Sequence, residues 1–162
     1  MEHTLDPQQP KKPHPPVLII GIGNEYRHDD AVGLVVARAL KNRSLSGATI
    51  LESTGGGTDL IEAWANADRV ILIDAVVSKA APGTLHQIDV SDQPLPIDFF
   101  RHSTHAFGVA GAVELARTLN CLPPHLLFFG IEGKEFATGI GLSPEVKHAV
   151  PLAIAGVLKQ LA

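Results

Sequence analysis

Continuously apolar segments that end in glycine or aspartate are the feature that most constrains the fold of this chain. Residues 17–20 (Val-Leu-Ile-Ile) end at Gly21, and residues 70–73 (Val-Ile-Leu-Ile) end at Asp74. Residues 126–131 form a third apolar segment. Such runs are typical of strands that are buried on both faces of a parallel sheet and therefore need helices on both sides.

The segments between these runs predict the helices. Apolar residues recur at helical spacing after Asp29, and helices are also predicted over 59–67, over 105–119 and from Pro144 to the C-terminus. Residues 49–52 read as another strand, and residues 84–90 alternate like a half-exposed strand that could form an antiparallel hairpin with 70–76. We therefore predict a three-layer α/β/α sandwich around a mainly parallel, twisted sheet of about five strands, one of them antiparallel.

Composition limits the domain organisation and the classes of partner. Residues 17–162 are predicted to form one domain after a flexible Pro-rich tail, 1–16. The net charge of −4, with no basic stretch longer than Lys11-Lys12, argues against nucleic acid. Cys121 is the only cysteine, which excludes an intramolecular disulfide and fits a reducing cytosol. No apolar run approaches the roughly 18 residues of a membrane span. We expect a cytoplasmic monomer.

Three polar loops follow strands or precede a helix at the sheet edge where open α/β proteins bind ligands. They are 21–30, 74–79 and 101–105, and they offer Asp30, Asp74 and His105 as candidate metal ligands. Each has a structural alternative, namely helix capping for Asp30, a hydrogen bond to a loop amide for Asp74, and a cap or surface position for His105. Together they make a ligand set suited to zinc, nickel, manganese or iron.

The remaining polar residues near these loops are given structural roles. Asp29 is predicted to cap a helix while Asp30 faces the cleft. Ser103 is a candidate N-cap, which would leave His102 outside the next helix. The Gly21-Ile22-Gly23-Asn24 turn lacks the third glycine of a dinucleotide-binding fingerprint, because that position is Tyr26. The histidines expected to be solvated are His28, His86, His125 and His148.

Four ordered motifs resemble the hydrogenase maturation endopeptidases, which trim the C-terminus of the [NiFe]-hydrogenase large subunit. They occur at 21–24 with 29–33, at 73–79 with 81–84, at 103–105, and at 139–144, and the resemblance covers about residues 17–161. It implies a phosphorylase/hydrolase-like fold and an enzyme, a nickel-dependent processing endopeptidase. The family's nickel ligands correspond to Asp30, Asp74 and His105.

The resemblance also implies how such an enzyme would work. Nickel arrives with the large-subunit precursor rather than being held permanently, and the adjacent peptide bond is cut. Asp30 or Asp74 could act as the general base. The glycines Gly55, Gly56 and Gly57 match a substrate-recognition loop, although Glu52 to Thr58 lacks the aspartate that often precedes it.

Two other functions stay open at this stage. The triplet Arg27-His28-Asp29 imitates a motif of peptidyl-tRNA hydrolases, although Glu25-Tyr26 departs from that family's pattern. A non-enzymatic module that binds an anion or a metal at helix N-termini is the other alternative. The clustered carboxylates argue against an anion unless a cation bridges them.

Overall fold

The computed structural model describes residues 16–162, and within that range five strands form one sheet. They are β1 (Val17–Ile22), β2 (Ala48–Ser53), β3 (Arg69–Val76), β4 (Leu85–Asp89) and β5 (His125–Glu132). Their order is β2-β1-β3-β5-β4, with β4 antiparallel to β5 and the other pairs parallel. The predicted fold class is confirmed. The predicted hairpin is wrong, because β5 lies between β3 and β4, and β4 pairs with β5 at the sheet edge.

Helices cover both faces of the sheet. Helices α1 (Val32–Lys41) and α4 (Pro144–Leu161) pack on one face, and α2 (Gly57–Trp64) and α3 (Val109–Thr118) pack on the other. Successive side chains of β1 point to opposite faces, so Ile19 belongs to the core with α1 and α4, whereas Leu18 and Ile20 belong to the core with α2 and α3. This produces the three layers that the buried strands require.

Two helices begin later than the sequence predicts. A 3-10 helix, His28–Ala31, precedes α1, so Asp29 and Asp30 lie in that short element rather than in the α-helix. Helix α3 begins at Val109 instead of residue 105, because the Ser103 hydroxyl accepts the His105 backbone N–H at 3.2 Å and closes a local turn. Residues 101–108 therefore form a connection that can bring its polar side chains to the end of the sheet.

Close packing of α1 against the sheet depends on Gly33. A Cβ atom at this position would overlap the backbone carbonyl oxygens of Ile22 and Ile73, which belong to β1 and β3. The helix therefore lies directly on the ends of both strands, and the 3-10 helix before it is brought beside β3. The predicted tail lies outside the described residues except for Pro16. Between residues 16 and 162, no helix is long and apolar enough to cross a bilayer.

Candidate metal centre

The polar side chains predicted for the site meet at the carboxyl ends of the neighbouring strands β1 and β3. The connection through α1 leads from β1 to β2 across one face, and the connection through α2 leads from β2 to β3 across the other. Ligands of open α/β sheets bind in the crevice that this reversal creates. Here the crevice is an open cleft of about 290 Å³, and Asp30, Asp74, His102 and His105 all line it.

Asp30 faces this cleft from the 3-10 helix, as predicted. Its backbone N–H donates to the Arg27 carbonyl at 3.1 Å, which closes the turn, and its carboxylate lies 3.8 Å from the Arg27 guanidinium. Only 7% of the residue is exposed. A carboxylate this buried needs a positively charged or hydrogen-bonding neighbour, and the single contact with Arg27 is long.

Asp74 is the most deeply placed acid of the site. It lies within β3 rather than after it, and its Oδ1 accepts the backbone N–H of Ala75 at 2.8 Å. Burial, and then the nearby charge of Asp30, raise the pKa of Asp74 well above its ordinary value. The site therefore contains two carboxyl groups of which one retains its proton more strongly than a solvated aspartate.

His102 completes the cluster. Its Nε2 lies 3.2 Å from Asp30 Oδ1, and its side chain is 3% exposed. The ring stacks on Phe136 at a centroid distance of 4.5 Å, and its backbone carbonyl accepts the Arg27 Nη1 donor at 2.8 Å. One ligand atom from each of Asp30, Asp74 and His102 lies within 4.8 Å of the other two, and this is the group of potential metal ligands found among residues 16–162.

His105 lies in the same cleft but in a different contact. Its Nε2 is 2.9 Å from the carbonyl oxygen of Thr54, in the loop that follows β2. The structure therefore brings all three predicted ligands into one cleft, with His102 rather than His105 beside the two carboxylates. The role of His105 as a ligand stays a prediction. Sequence reasoning set His102 aside as lying outside a helix, and only the path of the 101–108 connection reveals where its ring points.

The glycine loop after β2 borders this part of the cleft. Gly55 has a φ of +95°, which favours glycine, and its N–H donates to the Ser53 hydroxyl at 3.1 Å. Gly55 lines the cleft, a Cβ at Gly56 would lie 3.8 Å from the His105 ring, and the N–H of Gly57 donates to the Phe107 carbonyl. The loop therefore borders the cleft beside His105, and its recognition role stays a prediction.

Asp29 does not cap a helix, contrary to the prediction. Its carboxylate accepts three backbone N–H donors, from Lys134, Glu135 and Ser143, and the Ser143 hydroxyl, at 2.7–2.9 Å. Burial acts to raise the pKa of Asp29, but these hydrogen bonds outweigh it and lower the pKa. Asp29 thus ties the 134–143 segment, which carries Phe136, to the residue that precedes Asp30.

Two histidines that were expected to be solvated are instead half-buried. His28 Nδ1 is 2.9 Å from the Gly141 carbonyl, so this histidine holds the 139–141 segment and is not among the residues that line the cleft. His86 Nε2 lies 3.7 Å from buried Glu132, whose carboxylate also accepts the backbone N–H and the hydroxyl of Ser78. A peptidyl-tRNA hydrolase mechanism through His28 is therefore not supported.

The fold and the site define a class of protein, an α/β protein with a cluster of carboxylate and imidazole groups in the switch-point cleft of a mainly parallel sheet. Residues 34–160 match the family model described as hydrogenase maturation protease. The chain is 32% identical over 149 residues to the hydrogenase 2 maturation protease of Escherichia coli strain K12, with 90% of each chain covered.

Solved structures agree with this match. The hydrogenase maturating endopeptidase HybD from Escherichia coli superposes with a TM-score of 0.74 at 28% identity, over 90% of this chain and 91% of that one. A solution structure of an endopeptidase from Escherichia coli gives a TM-score of 0.77 at 29% identity, with the same coverage. The chain belongs to the hydrogenase maturation protease family, which confirms the resemblance carried by its motifs.

Proposed function

We propose that this protein is an endopeptidase that removes the C-terminal peptide of a [NiFe]-hydrogenase large-subunit precursor after nickel insertion. The observation that carries the proposal is the grouping of Asp30, Asp74 and His102 at a distance suited to one cation, within a cleft that is open to a chain segment. Carboxylate oxygens and imidazole nitrogens suit nickel and other borderline divalent ions. Membership of the family supports the reaction class.

In this proposal nickel is part of the substrate, and the protease recognises it. The two carboxylates and an imidazole of the cleft hold the nickel of the docked precursor, which positions the adjacent peptide bond against the same residues. A bound divalent ion polarises a carbonyl group or lowers the pKa of water, so it can replace a Ser or Cys nucleophile. The free thiol of Cys121 is exposed and is not among the residues that line the cleft.

The carboxyl groups of Asp30 and Asp74 are the acid–base groups that hydrolysis needs. Burial, and then the nearby charge of Asp30, raise the pKa of Asp74 and so favour its protonated form. A positive charge that enters between the two carboxylates opposes this shift and favours the ionised form of both. Asp30 or Asp74 is then a carboxylate that can accept a proton from the attacking water and return it to the leaving amine.

The glycine loop at 55–57 is the proposed contact for the extended precursor segment. Its backbone is close to the cleft and Gly55 carries no side chain, so a polypeptide can approach closely. The cytoplasmic location and the monomeric state expected from the sequence are parts of the same proposal.

The test is cleavage of purified precursor, with and without nickel, followed by mass spectrometry of the large subunit. We expect the purified protein to release the C-terminal peptide only from the nickel-loaded precursor. Asp30→Asn and Asp74→Asn should abolish release without unfolding the protein, whereas Asp92→Asn, at an exposed position, should cleave normally. Efficient cleavage of nickel-free precursor, or normal cleavage by both site variants, would refute the proposal.

A further inference from the structure

We infer that His102 is a metal ligand of this protein, through Nε2 and together with Asp30 and Asp74. The inference rests on the proposed function only for the identity of the site, and it assigns a ligand that neither the motifs nor the family model point to.

The first argument is the separation of the ligand atoms. Two ligands bound to one tetrahedral ion by bonds of about 2.0–2.1 Å lie about 3.3 Å apart. His102 Nε2 and Asp30 Oδ1 are separated by 3.2 Å. The pair therefore already has the spacing of two ligands on one ion. One ligand atom from each of Asp30, Asp74 and His102 also lies within 4.8 Å of the other two.

The second argument is that the fold fixes this ring at an unusual cost. The ring is buried, and His102 Nδ1 has no hydrogen-bond partner among the described residues. A buried polar atom without a partner destabilises the folded state. Either tautomer leaves Nδ1 unpaired, so the hydrogen bonds of Nδ1 do not explain why the ring points into the cleft. The contact of its Nε2 with the carboxylate of Asp30 explains the direction of the ring.

The third argument is the support around the ring. Phe136 stacks against one face, and Arg27 donates to the His102 backbone carbonyl, so both the side chain and the main chain are held. These contacts hold the ring in the orientation that places Nε2 beside Asp30. His105 lacks this arrangement, because its Nε2 contacts the Thr54 carbonyl instead of a carboxylate.

The experiment follows the imidazole nitrogens of the full chain by NMR while Zn²⁺, a diamagnetic probe ion, is added. We expect zinc to shift the ring nitrogens of His102 and to leave those of exposed His148 unchanged. In calorimetric titrations, His102→Phe, which retains the aromatic packing on Phe136, should weaken zinc binding by about tenfold or more, as should His102→Gln. His148→Phe is the matched control.

Two results would overturn the inference. One is that the ring-nitrogen resonances of His102 in the wild-type chain do not shift at saturating zinc. This measurement does not depend on the folding of any variant. The other is zinc affinity within about twofold of wild type in folded His102→Phe and His102→Gln, since truncating a ligand should cost more. Cleavage of nickel-loaded precursor is measured separately. If the wild-type protein cleaves no precursor while His102→Phe binds zinc more weakly than the wild type, the proposed function is refuted and the ligand assignment stands.

Discussion

Replacement of Asp29 by asparagine is the perturbation whose magnitude the structure defines best. The carboxylate is fully buried, and its two oxygens accept four donors. Asparagine retains one acceptor oxygen and adds an NH₂ group, which must face at least one backbone N–H. The variant therefore loses hydrogen bonds and also leaves buried donors without a partner.

We expect Asp29→Asn to lower the free energy of unfolding by about 3–5 kcal/mol, because each lost hydrogen bond to a charged group costs about 1.5–3 kcal/mol. A change of this size corresponds to a fall in Tm of roughly 6–20 °C for a domain of this length. Because Asp29 secures the 134–143 segment, amide exchange should accelerate most at the backbone N–H groups of Lys134, Glu135 and Ser143.

The assay is urea unfolding at about pH 7 and about pH 3, with Asp92→Asn as the exposed control. The folded pKa of Asp29 is lower than its unfolded value of about 3.9. Its stabilising contribution is therefore complete above that value and is lost as the pH falls through the folded pKa. The difference in the free energy of unfolding between wild type and Asp29→Asn should therefore be smaller at the lower pH. A loss below about 1 kcal/mol at neutral pH would refute the reasoning, since it would mean that the buried donors find other partners.

Three further predictions concern other parts of the molecule. Asp74→Asn should stabilise the metal-free protein more at about pH 8 than at about pH 4 in urea unfolding, because the raised pKa makes ionisation unfavourable to the folded state as the pH rises. Gly33→Ala should lower stability by about 1–3 kcal/mol or prevent folding, since its Cβ would overlap carbonyl oxygens of β1 and β3, while Gly108→Ala should have a small effect. Tyr26→Ala removes an exposed ring at the cleft and should raise the KM for precursor with little change in kcat, whereas Leu152→Ala on α4 should change neither.

The layers of the fold were predictable because they depend on local periodicity. Continuous apolar runs mark β1, β3 and β5, and the N1 position of Pro144 marks the start of α4 correctly. The neighbour of β4 was not predictable in this way. The alternating pattern of residues 84–90 predicts a strand with one exposed face but does not indicate which strand is its neighbour. Contacts with the distant residues of β5 decide the pairing.

The positions of the two carboxylates could be predicted from local sequence patterns, whereas the position of the histidine beside them depends on contacts between distant segments. Asp30 lies in the loop predicted after the first apolar run, Asp74 ends the apolar run 70–73, and both line the cleft. The direction of a side chain in a connection without regular structure depends on its partners, here Arg27 and Phe136 for His102. Neither is close to His102 in sequence, so no pattern within the 101–105 turn could have separated its role from that of His105.

The charges around the carboxyl pair bear on how the proposed protease would distinguish a nickel-loaded precursor from free metal. A cation that enters the cleft from solution competes with a proton for Asp74, whose pKa is raised, and approaches an Arg27 guanidinium 3.8 Å from Asp30. In the proposed protease both features would reduce the affinity for a free cation. Nickel that is fixed in a docked precursor meets the same ligands at a high effective concentration, because other contacts have already placed it there. The weaker binding of a cation by these ligands therefore affects the docked precursor far less than it affects a free ion. A weak site for free metal thus serves selective recognition of metal that has already been inserted.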